Sequence, residues 1–382
     1  MLKLKKTKEL YMHSFLEPIK IATIIFPIVA FMITVPFLIY QYRKKGYASF
    51  YYSFLIFLFI YYLMNAYFLV ILPLPPIYEV NTTYTEMMQL VPFQFIFDIA
   101  RESSLNLIQP NTYLKALKEP VVTQVLYNIV MVIPFGVFMR YLFKKDLKQT
   151  LIYSLLLSLF FEISQLSGLF FIYSGPYRLF DVDDLILNTL GGVLGYAITP
   201  YLAYFAPSID KLDSKLSDKA KRVSLTKRII YLLIDVFIIN FISSILSLIT
   251  SINLDALIFI LYFTILPLIY DGYTIGSKFL SIQLTTPNQS LTISNTLTRS
   301  LMVYFLVLNS GNVINFLTEI ILDVTTEESL IFLVFYIIII GIWLLFNFIY
   351  YLFVLIKKPN RLYFDHFSNT YLKSTYMKKD SH

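Results

Sequence analysis

Cysteine is absent from this 382-residue chain, and glycine (11), histidine (3) and charged residues (14%) are scarce. Without cysteine the chain can form no disulfide, no thiolate metal site and no cysteine nucleophile. His13, His366 and His382 lie far apart and outside the apolar blocks, which argues against a histidine-rich metal site. The low charge excludes an ordinary soluble domain, in which about 25% of residues are charged, and a disordered chain.

Hydrophobic residues are abundant, at 57% of the chain, and they fall in long uninterrupted blocks. Blocks of roughly 20 residues are long enough to cross a bilayer as helices, whereas a membrane barrel would show alternating runs of about 10 residues. The sequence therefore predicts an all-α, polytopic membrane protein with the lipid bilayer as its partner. The net charge of +7 does not indicate nucleic-acid binding, because lysine and arginine lie between the apolar blocks and orient the helices.

The apolar blocks predict about nine membrane-spanning helices. Their approximate limits are Ile19–Tyr40, Phe50–Leu72, Val121–Phe143, Thr150–Phe171, Leu185–Phe205, Ile229–Thr250, Ala256–Ile269, Leu301–Leu322 and Leu330–Ile356. The first block has no small-residue cleavage site after it, so we interpret it as a retained helix and not as a signal peptide. The seventh block is short and the ninth is long, which favours tilted or partly interfacial helices there.

A polar, charged stretch from about Ala206 to Lys227 separates two groups of spans. Such a stretch is typical of a linker between two domains. We therefore predict a first membrane domain of about five helices at residues 1–206, a cytoplasmic linker at 207–227, and a second membrane domain at 228–382. The second domain has about four helices and ends in a cytoplasmic tail.

Positively charged loops predict the orientation, since cytoplasmic loops of membrane proteins are rich in lysine and arginine. Basic residues follow spans one, three, five and nine, and a cytoplasmic position for all four regions is mutually consistent, with the C-terminus cytoplasmic. The basic N-terminal stretch Lys3–Lys8 is the exception, because it would then lie outside.

Polar side chains within or next to spans three to five form the first candidate site. An ionisable group inside a membrane is costly, so Glu162 and its helical neighbour Gln165 are functional candidates by default. If the orientation holds, these groups converge on the outer half of the membrane and could line one pocket. The candidate residues are Glu162, Gln165, Arg178, Asp181, Asp183, Asp184, Asn128 and Asn188.

Structural roles explain several of these residues equally well. Arg178 could bind Asp181 or Asp184 within a loop turn, and Asp183 and Asp184 could oppose the dipole of the helix they begin. Asn128 and Asn188 are also explained by interhelical hydrogen bonds, and Gly191 and Gly195 by close helix packing. Glu162 is harder to explain in this way, because an intramembrane carboxylate needs a partner.

The chemistry available to such a pocket is limited. Arg178 offers a donor fork for a carboxylate or a phosphate, and clustered carboxylates could act as acids or bases. The aspartate run is only weak support for a divalent cation, and no Ser/His or Cys/His arrangement lies inside the membrane. We therefore expect no cofactor and no resident metal, and the sequence does not assign an enzymatic activity.

An ordered series of motifs over residues 26–201 resembles the VanZ-like family. The motifs are Val91-Pro92-Phe93, Asn128-Ile129, Pro134-Phe135-Gly136, Phe161-Glu162 with Gln165, Tyr177-Arg178, Asp181-Val182-Asp183-Asp184, Asn188-Thr189, Gly191-Gly192 and Gly195-Tyr196. The resemblance implies a bacterial plasma-membrane protein with a role in low-level resistance to teicoplanin, a glycopeptide. It also implies lipid-linked cell-wall precursors or the antibiotic as partners, without supplying a mechanism.

A second set of residues, in about 226–372, resembles the RDD family, named for one arginine and two aspartates. Arg228, Asp235 and Asp365 match those three by position. Thr274, Gly276 and Lys278 resemble the family's Thr-x-Gly-Lys loop, although Ser277 stands where a lysine is usual, and the stretch from Arg361 to Thr370 resembles its closing motif. Some members of that family are linked to ion or proton exchange. Arg228 is equally well explained as a positive-inside anchor.

Three functions follow from these patterns. The first is a cell-envelope protein that modulates glycopeptide susceptibility through an outward-facing polar site. The second is an ion- or proton-coupled transporter, favoured by charged residues at several depths but not by any matching pair of interrupted helices. The third is a non-catalytic membrane scaffold, for which an aromatic content of 18% offers interfacial belts.

Overall fold

The computed structural model describes residues 2–80, 82–106, 108–217, 220, 222–250, 254–304 and 361–376, together with scattered positions between 338 and 353. Long helices dominate these residues. They are α1 (Leu2–Lys45), α2 (Phe50–Ile71), α5 (Pro120–Tyr141), α6 (Leu147–Leu166), α8 (Val182–Tyr204) and α10 (Leu225–Thr250).

Within the described residues, six helical segments are long and apolar enough to cross a membrane. They are Leu16–Lys45, Phe50–Ile71, Pro120–Tyr141, Leu147–Leu166, Val182–Tyr204 and Leu225–Ile249. The chain is therefore a multi-pass helical membrane protein, as the composition predicts. The predicted total of about nine spans is not confirmed. The seventh is an apolar helix of only 15 residues, α11 (Asp255–Ile269), and the last two lie for the most part outside the described residues.

Shorter elements connect the long helices. The short helices are α3 (Gln94–Glu102), α4 (Tyr113–Ala116), α7 (Gly168–Phe171), α9 (Ile209–Ser217), α12 (Ile275–Phe279), α13 (Ile293–Met302) and α14 (Tyr363–Phe367). Helix α9 lies inside the stretch that the sequence predicts as a linker.

Two small sheets modify the predicted all-α fold. Strand β1 (Met88–Gln89) pairs in parallel with β2 (Phe180–Asp181), and Gln89 is in register with Asp181. Strand β3 (Ile282–Thr285) pairs antiparallel with β4 (Tyr371–Ser374). Each sheet joins segments that are distant in sequence, so neither could be predicted from local pattern.

The chain divides into two compact units. The first comprises Met1–Ile33 and Phe50–Leu212, and the second comprises Thr34–Ser49 and Asp213–His382. Helix α1 thus contributes residues to both units. The domain limits given by the sequence, residues 1–206, 207–227 and 228–382, stay a prediction.

Helix α6 ends earlier than the sequence predicts. It begins with a capping box, in which the Asp146 carboxylate accepts the Gln149 N–H at 2.7 Å. It stops at Leu166, because Gly168 and the three residues that follow it adopt positive φ angles. The predicted span Thr150–Phe171 therefore begins and ends a few residues later than the helix. Glu162 lies about 6 Å from the helix end.

Glycines bring α5 and α8 of the first unit into direct backbone contact. A Cβ placed on Gly191 would lie 2.1 Å from the Ile129 carbonyl oxygen, and one on Gly195 would lie 2.0 Å from the Ile133 oxygen. On the other helix, a Cβ on Gly136 would lie 1.9 Å from the Gly192 oxygen. Only glycine fits such an approach, which is the packing mode of small residues in membranes.

We predict that Gly195→Val destabilises the first unit, because the new side chain must displace the α5 backbone. Overpacking of this kind costs about 1–3 kcal/mol. Thermal unfolding of the purified protein in detergent should show a lower midpoint. Gly341→Ala is the matched control, since a Cβ there meets no atom of the described residues within 4 Å. Equal midpoints for both variants would contradict the close packing.

Candidate functional site

A polar cavity of about 290 Å³ lies in the first unit, where α2 and α6 end and α8 begins, beside the first half of α5. Its lining combines apolar side chains with the polar groups that the sequence singles out. The lining residues are Leu69, Val70, Leu72, Pro73, Gln124, Tyr127, Asn128, Met131, Phe161, Glu162, Gln165, Arg178, Asp184 and Asn188.

Glu162 is the deepest acidic group of the cavity and is only 2% exposed. One of its carboxylate oxygens, Oε2, accepts the backbone N–H of Asp181 at 3.0 Å. Its other oxygen makes no hydrogen bond to any residue that the structure describes. The partner that an intramembrane carboxylate requires is thus a backbone amide, and one oxygen is left for the cavity.

Asp184 and two asparagines form a hydrogen-bonded group on another wall. The Asn128 side-chain amide donates to the Asp184 carboxylate, linking α5 to α8. The Asn188 amide donates to Ser158 Oγ at 2.9 Å, and Ser158 donates to the Asp184 carbonyl oxygen at 3.2 Å. The interhelical hydrogen bonds expected as an alternative for both asparagines are therefore present.

Arg178 binds the end of α2 and not the neighbouring aspartates. Its Nη1 and Nη2 donate to the carbonyl oxygens of Val70 and Leu72 at 2.6 and 2.8 Å. Gln165 also donates to the Val70 oxygen, at 2.9 Å. The suggestion that Arg178 caps Asp181 or Asp184 is thus wrong. The unpaired carbonyls at the end of α2 attract the guanidinium instead, because helix C-termini are partly negative and lack donors.

Asp181 and Asp183 do not line the cavity, so their predicted place in one common pocket is wrong. Asp183 points away from it and accepts the N–H groups of Phe93 and Phe95 at 2.5 and 2.8 Å. Phe93 has a left-handed backbone (φ 64) at the start of α3, and the Asp183 carboxylate holds it there. The Val91-Pro92-Phe93 motif is therefore the docking point of α3 on α8.

Asp181 is the N-cap of α8. Its side chain accepts the Asp183 N–H at 2.8 Å, which satisfies one of the free donors of the first turn. Burial raises the pKa of the Asp181 carboxyl above its usual range, and the nearby Asp183 charge adds to this effect. The acidic residues Asp183 and Asp184 lie in the first turn of α8, where the helix dipole favours them.

Sequence reasoning missed Gln124 and Ser158. Gln124 precedes Asn128 by one helical turn on α5, and Ser158 precedes Glu162 by one turn on α6, so both share a face with a predicted site residue. This i, i+4 spacing is the signal that could have found them. Tyr127, which also lines the cavity, has no comparable signal because aromatic residues are frequent along the whole chain.

A comparison with models of protein families shows which family the cavity-forming region resembles. The model of the VanZ/LLP1 family matches residues 57–204, which include every residue of the cavity. Residues 57–204 form a VanZ/LLP1 family domain. No curated protein and no solved structure matches the chain. The match lies wholly within the first unit, and the resemblance of residues 226–372 to the RDD family gains no support from it.

Beyond the VanZ/LLP1 domain, the second unit contains a buried ionic cluster. The Asp365 carboxylate is 0% exposed, and it binds Arg228 Nη1 at 2.8 Å and Arg299 Nε at 3.1 Å. Arg299 also donates to the Tyr231 hydroxyl at 3.3 Å. Sequence analysis grouped Arg228 with Asp365 only because both match the same family motif. It did not single out Arg299, which lies in a short polar helix without a distinguishing pattern.

Asp235 has a separate role in the same unit. It is fully buried and accepts hydrogen bonds from the Tyr262 hydroxyl, the Thr274 hydroxyl and the Gly276 N–H, each at 2.6 Å. Ser277 completes a capping box with Thr274 at the start of α12, which accounts for a serine at this position. Asp235 therefore anchors the loop before α12.

The described residues include no group of three or more histidine, cysteine, aspartate or glutamate side chains that could hold a metal ion. What the cavity of the VanZ/LLP1 domain offers is a mixed surface. Leu69, Met131 and Phe161 supply apolar area, while Glu162 and Asp184 supply carboxylates. Such a surface is suited to binding a ligand that has both an apolar and a polar part.

We predict that Asp183→Ala releases α3 from the VanZ/LLP1 domain without unfolding the domain. Hydrogen bonds to a charged acceptor contribute about 1.5–3 kcal/mol, so amide exchange in residues 94–102 should accelerate at least about tenfold. Hydrogen–deuterium exchange with mass spectrometry measures this. Asp210→Ala, at an exposed position, is the control and should leave the peptide unchanged. An equally slow peptide in both variants would contradict the anchoring role.

We predict that Arg299→Met destabilises the second unit. The substitution leaves Asp365 paired with Arg228 but removes the arginine donor of its other oxygen, and a lost hydrogen bond to a charged group costs about 1.5–3 kcal/mol. Arg361→Met, at a partly exposed position over the Tyr371 ring, is the matched control. Thermal unfolding in detergent should separate the two variants, and similar midpoints would show that Arg299 is dispensable.

Proposed function

We propose that the protein lies in the bacterial plasma membrane and modulates susceptibility to glycopeptides such as teicoplanin through the polar cavity of its VanZ/LLP1 domain. The supporting observation is the cavity itself, in which Glu162 keeps a carboxylate oxygen without a hydrogen-bond partner among the described residues. A buried group of this kind is costly in a membrane, and ligand binding is a reason to retain it. The proposed partners are lipid-linked wall precursors or the antibiotic.

Charge distribution supports an outward-facing cavity. Arg140 lies in the last turn of α5, and Lys144 and Lys145 lie between α5 and α6. The cavity lies near the start of α5 and the end of α6. The basic residues and the cavity are thus at opposite ends of the same helices. Since basic loops favour the cytoplasm, the cavity opens to the outer side in this proposal, and the C-terminus is cytoplasmic.

Transport by an RDD-like second domain is the alternative, and the resemblance of Arg228, Asp235 and Asp365 to that family's residues favours it. We propose that these residues serve the fold of such a domain. Arg228 is paired with Asp365, and Asp235 accepts hydrogen bonds from three groups. Charges engaged in this way are poorly suited to carrying ions, so the first proposal is the stronger one. A scaffold role has no comparable observation in its favour.

The test is a susceptibility panel in a host strain from which the gene is deleted. Deletion should lower the inhibitory concentration of teicoplanin at least about twofold, and the wild-type gene should restore it. Glu162→Gln keeps the side-chain shape and removes the charge, so it should fail to restore resistance.

Asp210→Asn makes the same chemical change at an exposed carboxylate that pairs with Lys144, and it should restore resistance fully. Membrane levels of each variant are compared by immunoblot. The proposal is wrong if deletion leaves susceptibility unchanged, or if Glu162→Gln restores resistance as well as the wild type does.

A further inference from the structure

Four polar side chains of the cavity wall donate hydrogen bonds to other groups of the protein. The Asn128 amide donates to Asp184, the Gln165 amide donates to the Val70 oxygen, and the Asn188 amide donates to Ser158. Both terminal nitrogens of Arg178 donate to carbonyl oxygens at the end of α2. These side chains therefore turn their nitrogen atoms toward the protein.

The hydrogen-bond partners also fix how the amide groups are turned. Asp184 and the Val70 carbonyl can only accept, so Asn128 and Gln165 must present nitrogen to them. In the structure Ser158 donates to the Asp184 carbonyl and accepts from the Asn188 nitrogen. The orientations of Asn128 and Gln165 follow from their acceptor-only partners.

Oxygen acceptors are left over on the same wall. Asn188 is 3% exposed, and its Oδ1 is buried without a hydrogen-bond partner among the described residues. The second oxygens of Glu162 and Asp184 likewise make no hydrogen bond within the described part of the chain. A buried acceptor without a donor costs about 1–3 kcal/mol, which a ligand that brings donors would recover.

The charges of the lining residues give a second argument about the ligand. The lining carries two carboxylates, Glu162 and Asp184, against the single guanidinium of Arg178. A cationic ligand favours ionisation of both carboxyls, and in that state the lining has one negative charge in excess. This balance is compatible with a cationic ligand that donates hydrogen bonds.

We propose that this cavity binds a primary ammonium group, with its N–H donors directed at the free carboxylate oxygens of Glu162 and Asp184. A primary ammonium has enough donors for both oxygens and one positive charge that balances the excess negative charge of the ionised lining. The inference deepens the proposed function and rests on the cavity being the working site. Leu69, Met131 and Phe161 provide an apolar surface for the carbon chain that carries the amine.

A bare metal ion fits the cavity less well. A volume of about 290 Å³ is roughly ten times the share of one water molecule in the liquid, so an ion alone would leave most of the space to water. The described residues also offer no cluster of three or more metal-ligating side chains of the usual types. An alkylammonium fills the polar and the apolar parts of the same cavity together.

The test compares ethanolamine with choline, which has the same chain and charge but no N–H donors on nitrogen. Saturation-transfer difference NMR is recorded on the purified full-length protein in phosphatidylcholine nanodiscs. Ethanolamine should bind at least about tenfold more tightly than choline. Equal binding of the two amines, or no binding of either, would overturn the proposal.

A lipid headgroup and a soluble compound can supply the same ammonium group, and a second arm separates them. Nanodiscs that contain phosphatidylethanolamine should suppress the ethanolamine signal if the lipid is the source. An undiminished signal assigns the cavity to soluble amines, and both results support a primary ammonium site.

Variants connect binding to the cavity. Glu162→Gln should weaken ethanolamine binding at least about tenfold, while Asp210→Asn should leave it unchanged. Because Glu162→Gln could disturb folding, a second variant adds charge after folding. Gln124 lies exposed on the cavity lining, and Gln124→Cys is reactive in a chain without other cysteines.

Labelling Gln124→Cys with a sulfonate-bearing reagent should strengthen ethanolamine binding, and labelling with a trimethylammonium-bearing reagent should weaken it. No difference between the two labels would overturn the proposal. These results are independent of the susceptibility panel. If Glu162→Gln abolishes resistance but ethanolamine does not bind, the ammonium site is wrong and the proposed function stands.

Discussion

The carbonyl groups at the end of α2 need donors, because a helix leaves its last carbonyls unpaired and a bilayer core offers no water to bind them. Arg178, Gln165 and Tyr177 supply those donors from α6 and from the loop that follows it. These contacts hold the α6–α8 loop against α2. The geometry of the cavity depends on these contacts, because α2, α6 and the α6–α8 loop all contribute to its wall.

These hydrogen bonds to the end of α2 also determine which polar groups remain available in the cavity. Nη1 and Nη2 of Arg178 and Nε2 of Gln165 donate to carbonyl oxygens at the end of α2, while Glu162 keeps an oxygen without a hydrogen bond among the described residues. The site that results is rich in acceptors although it contains an arginine. Composition alone would suggest an anion site around Arg178, and only the hydrogen-bond directions reverse that reading.

Local sequence pattern was sufficient to locate several of the membrane-spanning helices and to single out polar residues inside them. Hydropathy marks α2, α5 and α8 within a few residues, and the cost of an intramembrane charge selects Glu162. Sequence pattern could not show which way each side chain points. Asp183 faces α3 while its neighbour Asp184 faces the cavity, because successive residues on a helix point about 100° apart.

Contacts between segments that are distant in sequence explain the remaining differences between the sequence predictions and the structure. Arg178 reaches carbonyls more than one hundred residues away in sequence, at Val70 and Leu72. The pairing of β1 with β2 and the position of Arg299 beside Asp365 are of the same kind. No window of sequence contains both partners of these contacts, so hydropathy and spacing carry no information about them.

The two units treat buried charge differently, and this contrast bears on function. In the second unit, both Asp365 oxygens bind arginines and both Asp235 oxygens accept hydrogen bonds, so each carboxylate is fully used by the fold. In the VanZ/LLP1 domain, Glu162 gives one oxygen to the fold and turns the other to a cavity. The free oxygen of Glu162 is the difference on which the proposed ligand site rests.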